Sequence, residues 1–317
     1  MINARDVFYK MKICELNNII KMFELKLGCR KKENIVDIVY EYMKNNMNSI
    51  LREFIIYDEL VLLKKVCDNN FKIAYEYDNE FSKHVESLAR VGLLYIDREK
   101  SNIAIPKEFQ MEIAASLEDE YINEFSKCRA DVIKMTEQLL EVYGVFHLNL
   151  LEDYIMKKIG VGYRIHRAIK VIRQYNLRNN LFYEDDECFF YNLRISDRES
   201  MKVKTDSITL NYKYYTKLEI DEILCRECSY EKDIKVILNR VYKNLNTSNG
   251  IVEAIRFMII EGKSSEEIGR FLKEKVKRLS DFGFKSILTS VDNMRNNHII
   301  WGHKGYSLEE IANELMT

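Results

Sequence analysis

Residues 148–191 read LNLLEDYIMKKIGVGYRIHRAIKVIRQYNLRNNLFYEDDECFFY, and the rest of the chain can be organised around this stretch. Apolar residues recur at helical spacing from Leu148 to Lys158, stop at Gly160-Val161-Gly162, and resume from Tyr163 to about Tyr175. Leu181-Phe182-Tyr183 and Cys188-Phe189-Phe190-Tyr191 then flank the polar run Glu184-Asp185-Asp186-Glu187, which predicts two strands round a turn. The order is helix, break, helix, hairpin.

The same order occurs upstream. Helical spacing covers Phe54 to Val66 and Phe81 to Val91, and Leu93-Leu94-Tyr95-Ile96 and Ile103-Ala104-Ile105 enclose the polar turn 97–102, with Pro106 ending the second strand. A long helix from Leu117 to Tyr143, closed by Gly144, separates the two copies. Before them, residues 6 to 47 predict two short helices with Gly28 as a left-handed turn, and after a polar linker at 196–212 the pattern is helical to the end. The expected fold is mainly α: helical modules in series, two winged-helix-like units with short β-hairpins near 93–105 and 181–191, and an all-α C-terminal domain. The boundaries fall at 1–47, 50–113, 117–195 and 213–317.

Composition agrees with this and narrows the chemistry. With 47% apolar and 31% charged residues over 317 positions, the chain should fold throughout as two or three domains. One proline and eleven glycines leave few helix breakers. The balance of 49 cationic to 50 anionic side chains excludes a protein that coats nucleic acid through overall charge, so any such contact must be local. No apolar run reaches the length of a bilayer span and the N-terminus lacks the apolar core of a signal peptide, so no membrane contact is expected and the cytoplasm is the expected location. Seven scattered cysteines point to reduced thiols. Cys225 and Cys228 form a CxxC pair, but the nearest histidines are His166 and His298, and without two further ligands no metal is expected there.

The least random feature lies inside the opening stretch. Between Lys157 and Tyr183 stand Lys157, Lys158, Arg164, Arg167, Lys170, Arg173 and Arg178, without a single Asp or Glu. At about 100° per residue, Ile165, Ala168, Ile169 and Ile172 make one apolar stripe, and Arg164, Arg167, Lys170 and Arg173 fan across the other side. In a winged helix this second helix commonly enters the major groove, which makes these cations the candidate nucleic-acid contacts. The four carboxylates of the following turn oppose phosphate, so an acidic protein partner, or a solvated face with no partner, stands beside that reading. No GxxxxGK[ST], GxSxG or HExxH sequence occurs, and Gly160-Val161-Gly162 lacks the rest of a dinucleotide fingerprint, so neither a catalytic residue nor a cofactor is expected. Glu266-Glu267 and Glu309-Glu310 follow Ser264 and Ser307 at capping-box spacing, and His303 is expected to be structural.

Two segments add a resemblance. Leu16-x-x-Ile19 through Leu27-Gly28-Cys29 to Lys32-x-x-Ile35-Val36-x-x-Val39 resembles the SAP-like and Rho-termination-factor N-terminal helical modules. The tail, with Asn297, Trp301, Gly305-Tyr306-Ser307 and Glu310, resembles that of uncharacterised bacterial multi-module proteins, some of which carry a SEC-C zinc motif missing here. The resemblance implies small modules that often contact nucleic acid, and no established activity. The expected function is a non-enzymatic nucleic-acid-associated protein, regulatory or linked to a mobile element. The alternative is an intracellular protein–protein interaction scaffold.

Overall fold

A computed structural model describes residues 2–28, 31–75, 81–159, 165–225, 229–242 and 244–316. The chain is mainly α-helical with two small antiparallel sheets of three strands each among the described residues. It divides into two compact units that interleave along the sequence: residues 1–136 with 152–181, and residues 137–151 with 182–317. The serial boundaries expected from the sequence do not coincide with this division, because the segment 117–195 contributes to both units.

The first unit opens with α1 (Ala4–Lys10), α2 (Ile13–Met22), α3 (Lys32–Asn45) and α4 (Met47–Phe54). Where two helices joined by Gly28 were expected, α1 is an extra one, and the left-handed residue is Glu24, at φ 54° just past the end of α2. The N–H of Leu25 bonds back to the Ile20 carbonyl, so the chain turns at once and needs no glycine. Then follow α5 (Tyr57–Asp68), β1 (Lys72–Ala74), α6 (Ser82–Ala89), β2 (Tyr95–Asp97), β3 (Asn102–Ala104) and α7 (Gln110–Ser116). The expected hairpin β2–β3 is present, and β1 pairs on the other side of β3, with Ile73 opposite Ile103. The first part of α8 (Glu120–Tyr143), the part of α9 (Leu148–Ile159) from Glu152 onward, and α10 (Ile165–Asn179) complete the unit. Leu16, Ile19, Val36, Val39, Leu51, Leu63, Leu88 and Ile113 belong to one continuous core.

The second unit takes the end of α8, then β4 (Val145–His147), β5 (Phe182–Glu184) and β6 (Phe189–Asn192), in the sheet order β4-β6-β5. Phe146 stacks on Phe190, with ring centroids 5.5 Å apart. The expected linker at 196–212 contains α11 (Arg198–Ser207), polar except for a narrow face whose Met201 joins Val145, Tyr191, Ile195 and Trp301 in a small core. After α12 (Lys217–Cys225) come α13 (Ser229–Val241), α14 (Leu245–Ile260), α15 (Ser265–Lys275) and α16 (Asp281–Asn297), which share a separate core, and then α17 (Leu308–Met316). Both expected capping boxes are formed: Ser264 with Glu267 at the start of α15, and Ser307 with Glu310 at the start of α17.

The Trp301 tail is part of this packing. The Trp301 Nε1–H donates to the Glu141 carbonyl at 3.0 Å, and Tyr215 donates its hydroxyl to the Gly305 carbonyl. Gly144, at φ 68°, closes α8 directly against the indole, where a Cβ would lie 2.1 Å from the ring. Only glycine meets both demands.

Candidate nucleic-acid interface

The helix α10 forms because Ala168, Ile169 and Ile172 recur at helical spacing with no Gly, Pro or acidic residue between Ile165 and Asn179. It packs on α2 and α4 within the first unit. Its buried side is wider than the four-residue stripe expected, since Val171, Gln174, Tyr175 and Arg178 are buried as well. At about 100° per residue, what remains exposed is a strip of roughly a third of the circumference. His166, Arg167, Lys170 and Arg173 occupy it.

The expected cations therefore separate into different environments. Arg167, Lys170 and Arg173 are exposed on α10, and Lys157 is exposed on α9. Lys170 pairs with Glu24 at 3.3 Å, both ends largely in solvent, where an ion pair contributes about 0–1 kcal/mol and opens readily. Arg164 and the side chain of Lys158 lie outside the described residues.

Arg178 does not belong to the exposed face. Its side chain is 3% exposed, and Nη2 donates to Glu59 Oε2 at 3.0 Å and to the Phe54 carbonyl at 3.0 Å. Glu59, fully buried on α5, also accepts from the Ser87 hydroxyl of α6 and from the N–H of Ile56. The cation expected at a ligand surface instead ties α10 to α5, because its position on the helix points inward.

Two cations that the sequence did not single out complete the site. Arg52, exposed on α4, and Arg129, on α8, line a cleft of about 490 Å3 together with His166, Arg167 and Lys170. Arg129 is 2% exposed, and its guanidinium donates to the carbonyls of Ile55 (2.7 Å), Arg52 (2.7 Å) and Leu51 (3.3 Å) at the end of α4. Carbonyl dipoles hold this charge in place at the C-terminal, negative end of a helix. A legible signal did exist: Arg129 stands on the apolar stripe of α8 marked by Ile122, Val132 and Ile133, where a cation must be buried. For Arg52 there was none, because only tertiary packing brings α4 opposite α10. Among the described residues of the lining, one carboxylate, Glu53, stands against these groups.

No protein-family model, curated protein or solved structure matches this chain. A larger and more open hollow, about 1220 Å3, lies along β2 and the N-terminal residues, but there Asp6, Asp97 and Glu99 are interspersed with Lys10, Lys72, Arg98 and Lys100. Lys10 donates to the Tyr95 hydroxyl and Lys100 lies 3.9 Å from Asp97, so its charge does not converge on a ligand.

In the second unit, the acidic turn after β5 is tied down internally. Asp185 Oδ1 accepts from the N–H groups of Glu187 and Phe189, and Oδ2 accepts from the Tyr191 hydroxyl. Lys202 lies against both Asp185 and Glu187. Burial pushes the Asp185 carboxyl up, but these donors and Lys202 outweigh it and hold it below its ordinary value.

His303 is 8% exposed, and its imidazole is pushed down to about 4, first by burial and then by the Lys204 ammonium. The Cys225 side chain and Cys228 lie outside the described residues. No group of three or more His, Cys, Asp or Glu able to hold a metal ion occurs among the described residues, and none of their helices is long and apolar enough to cross a membrane.

Proposed function

We propose that this is a non-enzymatic nucleic-acid-binding protein whose contact surface is the exposed strip of α10. The observation that carries the proposal is the convergence of Arg167 and Lys170 with Arg52 and the fixed charge of Arg129 round one cleft, whose described lining holds a single carboxylate. Phosphate contacts of this kind supply most sequence-independent affinity. Element order supports the same reading. Along the sequence, the succession α8-β4-α9-α10-β5-β6 follows the element order expected of a winged helix, with α10 at the position of the recognition helix. The segment α5-β1-α6-β2-β3 repeats the scheme with one helix fewer among the described residues. A regulatory or mobile-element role for the protein belongs to this proposal.

The test is salt-dependent binding of labelled oligonucleotides by fluorescence anisotropy. Each phosphate contact removed should lower the slope of log affinity against log salt by roughly 0.7–0.9. Arg167→Glu with Lys170→Glu should abolish binding at physiological salt with an unchanged melting temperature. The same reversal at Lys44 and Lys64, exposed elsewhere on the first unit, should have a small effect. Equal binding by the two double variants would remove α10 as the contact surface.

A further inference from the structure

Two features of the cleft go beyond a basic surface. The first is its size and lining. A volume of about 490 Å3 falls within the roughly 300–1,000 Å3 of small-ligand pockets, and behind the cations Phe54, Phe125 and Val171 give it an apolar side. Phe125 is half-buried and lines the cleft. The second is the burial of α10. A helix with its side chains is about 10–12 Å across and fills a major groove of about 12 Å, so it reads base edges only when a broad face stands clear of the protein. With roughly two thirds of its circumference packed, α10 offers a strip and one wall of a cleft.

We infer that the cleft between α4, α8 and α10 takes one unstacked nucleotide of a single strand, its phosphate held by Arg167, Lys170 and Arg52 and its base laid against Phe125. The inference rests on the nucleic-acid reading and specifies its ligand. Cations at the mouth match a backbone that runs along the strip. Arg129 adds a positive charge to the inner wall that side-chain motion cannot withdraw, since three carbonyls hold it. A base has an aromatic face whatever its identity, so a ring and a cationic groove together select unpaired strands without reading sequence. A paired base in a duplex cannot enter, because it would first have to leave its stack.

The experiment compares a fluorescein-labelled 12-nucleotide DNA strand, its RNA counterpart and the duplex of the same sequence, with adenosine monophosphate as an unlabelled competitor. The intact protein should prefer either single strand to the duplex, and the mononucleotide should displace the strand. Phe125→Ala should weaken single-strand binding by about five- to 150-fold, the range found for losing one base–aromatic stack, and leave the weaker duplex binding unchanged. Phe125→Leu retains apolar bulk and should show the same loss with a wild-type melting temperature, which separates stacking from folding. Duplex binding as tight as single-strand binding, or a Phe125→Leu protein with wild-type affinity, would overturn the inference and leave the nucleic-acid reading standing. Failure of every oligonucleotide to bind would overturn both.

Discussion

Arg178 and Glu59 form an ion pair that is 3% and 0% exposed, with further bonds to the Phe54 carbonyl and the Ser87 hydroxyl. Removing one partner of such a pair strands a buried charge, so Arg178→Met should destabilise the protein by about 3–5 kcal/mol. Arg178→Met with Glu59→Gln should recover part of that loss in urea unfolding. A single variant within about 1 kcal/mol of wild type would show that the pair contributes little. Lys204 presents the opposite case. Burial first, then Arg295 and Lys263 with Glu261 opposing them, lower its amine to about 8 from an ordinary 10.5. The lysine of the unfolded chain holds its proton better, so stability rises with pH between about 8 and 10.5, and the full penalty applies below 8. Each tenfold loss of proton affinity on folding costs about 1.4 kcal/mol. Lys204→Met should therefore stabilise the protein at pH 7 by on the order of 2–3 kcal/mol, and the advantage should shrink as pH approaches 10.5. A lower melting temperature for Lys204→Met at pH 7 would contradict this. His303 follows the same sign in a lower window. Its imidazole is held down to about 4 from 6.5, so its contribution is complete above 6.5 and is lost as the pH falls towards 4.

Helix ends were among the most legible features of the sequence. Ser264 with Glu267 and Ser307 with Glu310 stand where backbone N–H groups need acceptors, and each pair opens a helix, α15 and α17. Ser264→Ala and Ser307→Ala should each cost about 0.5–2 kcal/mol in thermal unfolding. Glu267 is held below its ordinary value chiefly by the Ser264 N–H, so its share is present above about 4.5 and is lost as the pH falls through the lowered value. The two hairpins were legible for a similar reason, as aromatic and branched runs round polar turns. The strands β1 and β4 were not. Lys72-Ile73-Ala74 and Val145-Phe146-His147 have no partner strand across a nearby turn, and only pairing with a distant strand makes them β. The basic helix was legible as a helix and as a cationic face, but the width of that face was not. Polar Gln174 and charged Arg178 look like surface residues until Gln174 is seen donating to the Met22 carbonyl and Arg178 is seen against Glu59.

The order of the two units along the chain has its own test. A fragment covering residues 1–181 contains every part of the first unit and should unfold cooperatively by circular dichroism. A fragment covering 182–317 lacks β4, the strand that pairs with β6, and the Glu141 carbonyl that receives the Trp301 N–H. It should lack a near-ultraviolet tryptophan signal, and Trp301 is the chain's only tryptophan. A native-like signal from 182–317 alone would count against the division. The same interleaving sets a timetable at the ribosome. The first unit is fully synthesised once Leu181 has emerged, whereas Glu141 and Gly144 of the second must wait for Trp301, about 120 residues later. At about 5–20 residues per second that is a delay on the order of 6–24 seconds. For that time Val145–His147 can already pair with β6, but the glycine seat at Gly144 stands without the indole that fills it, so this short stretch leaves the ribosome as an apolar surface awaiting its cover.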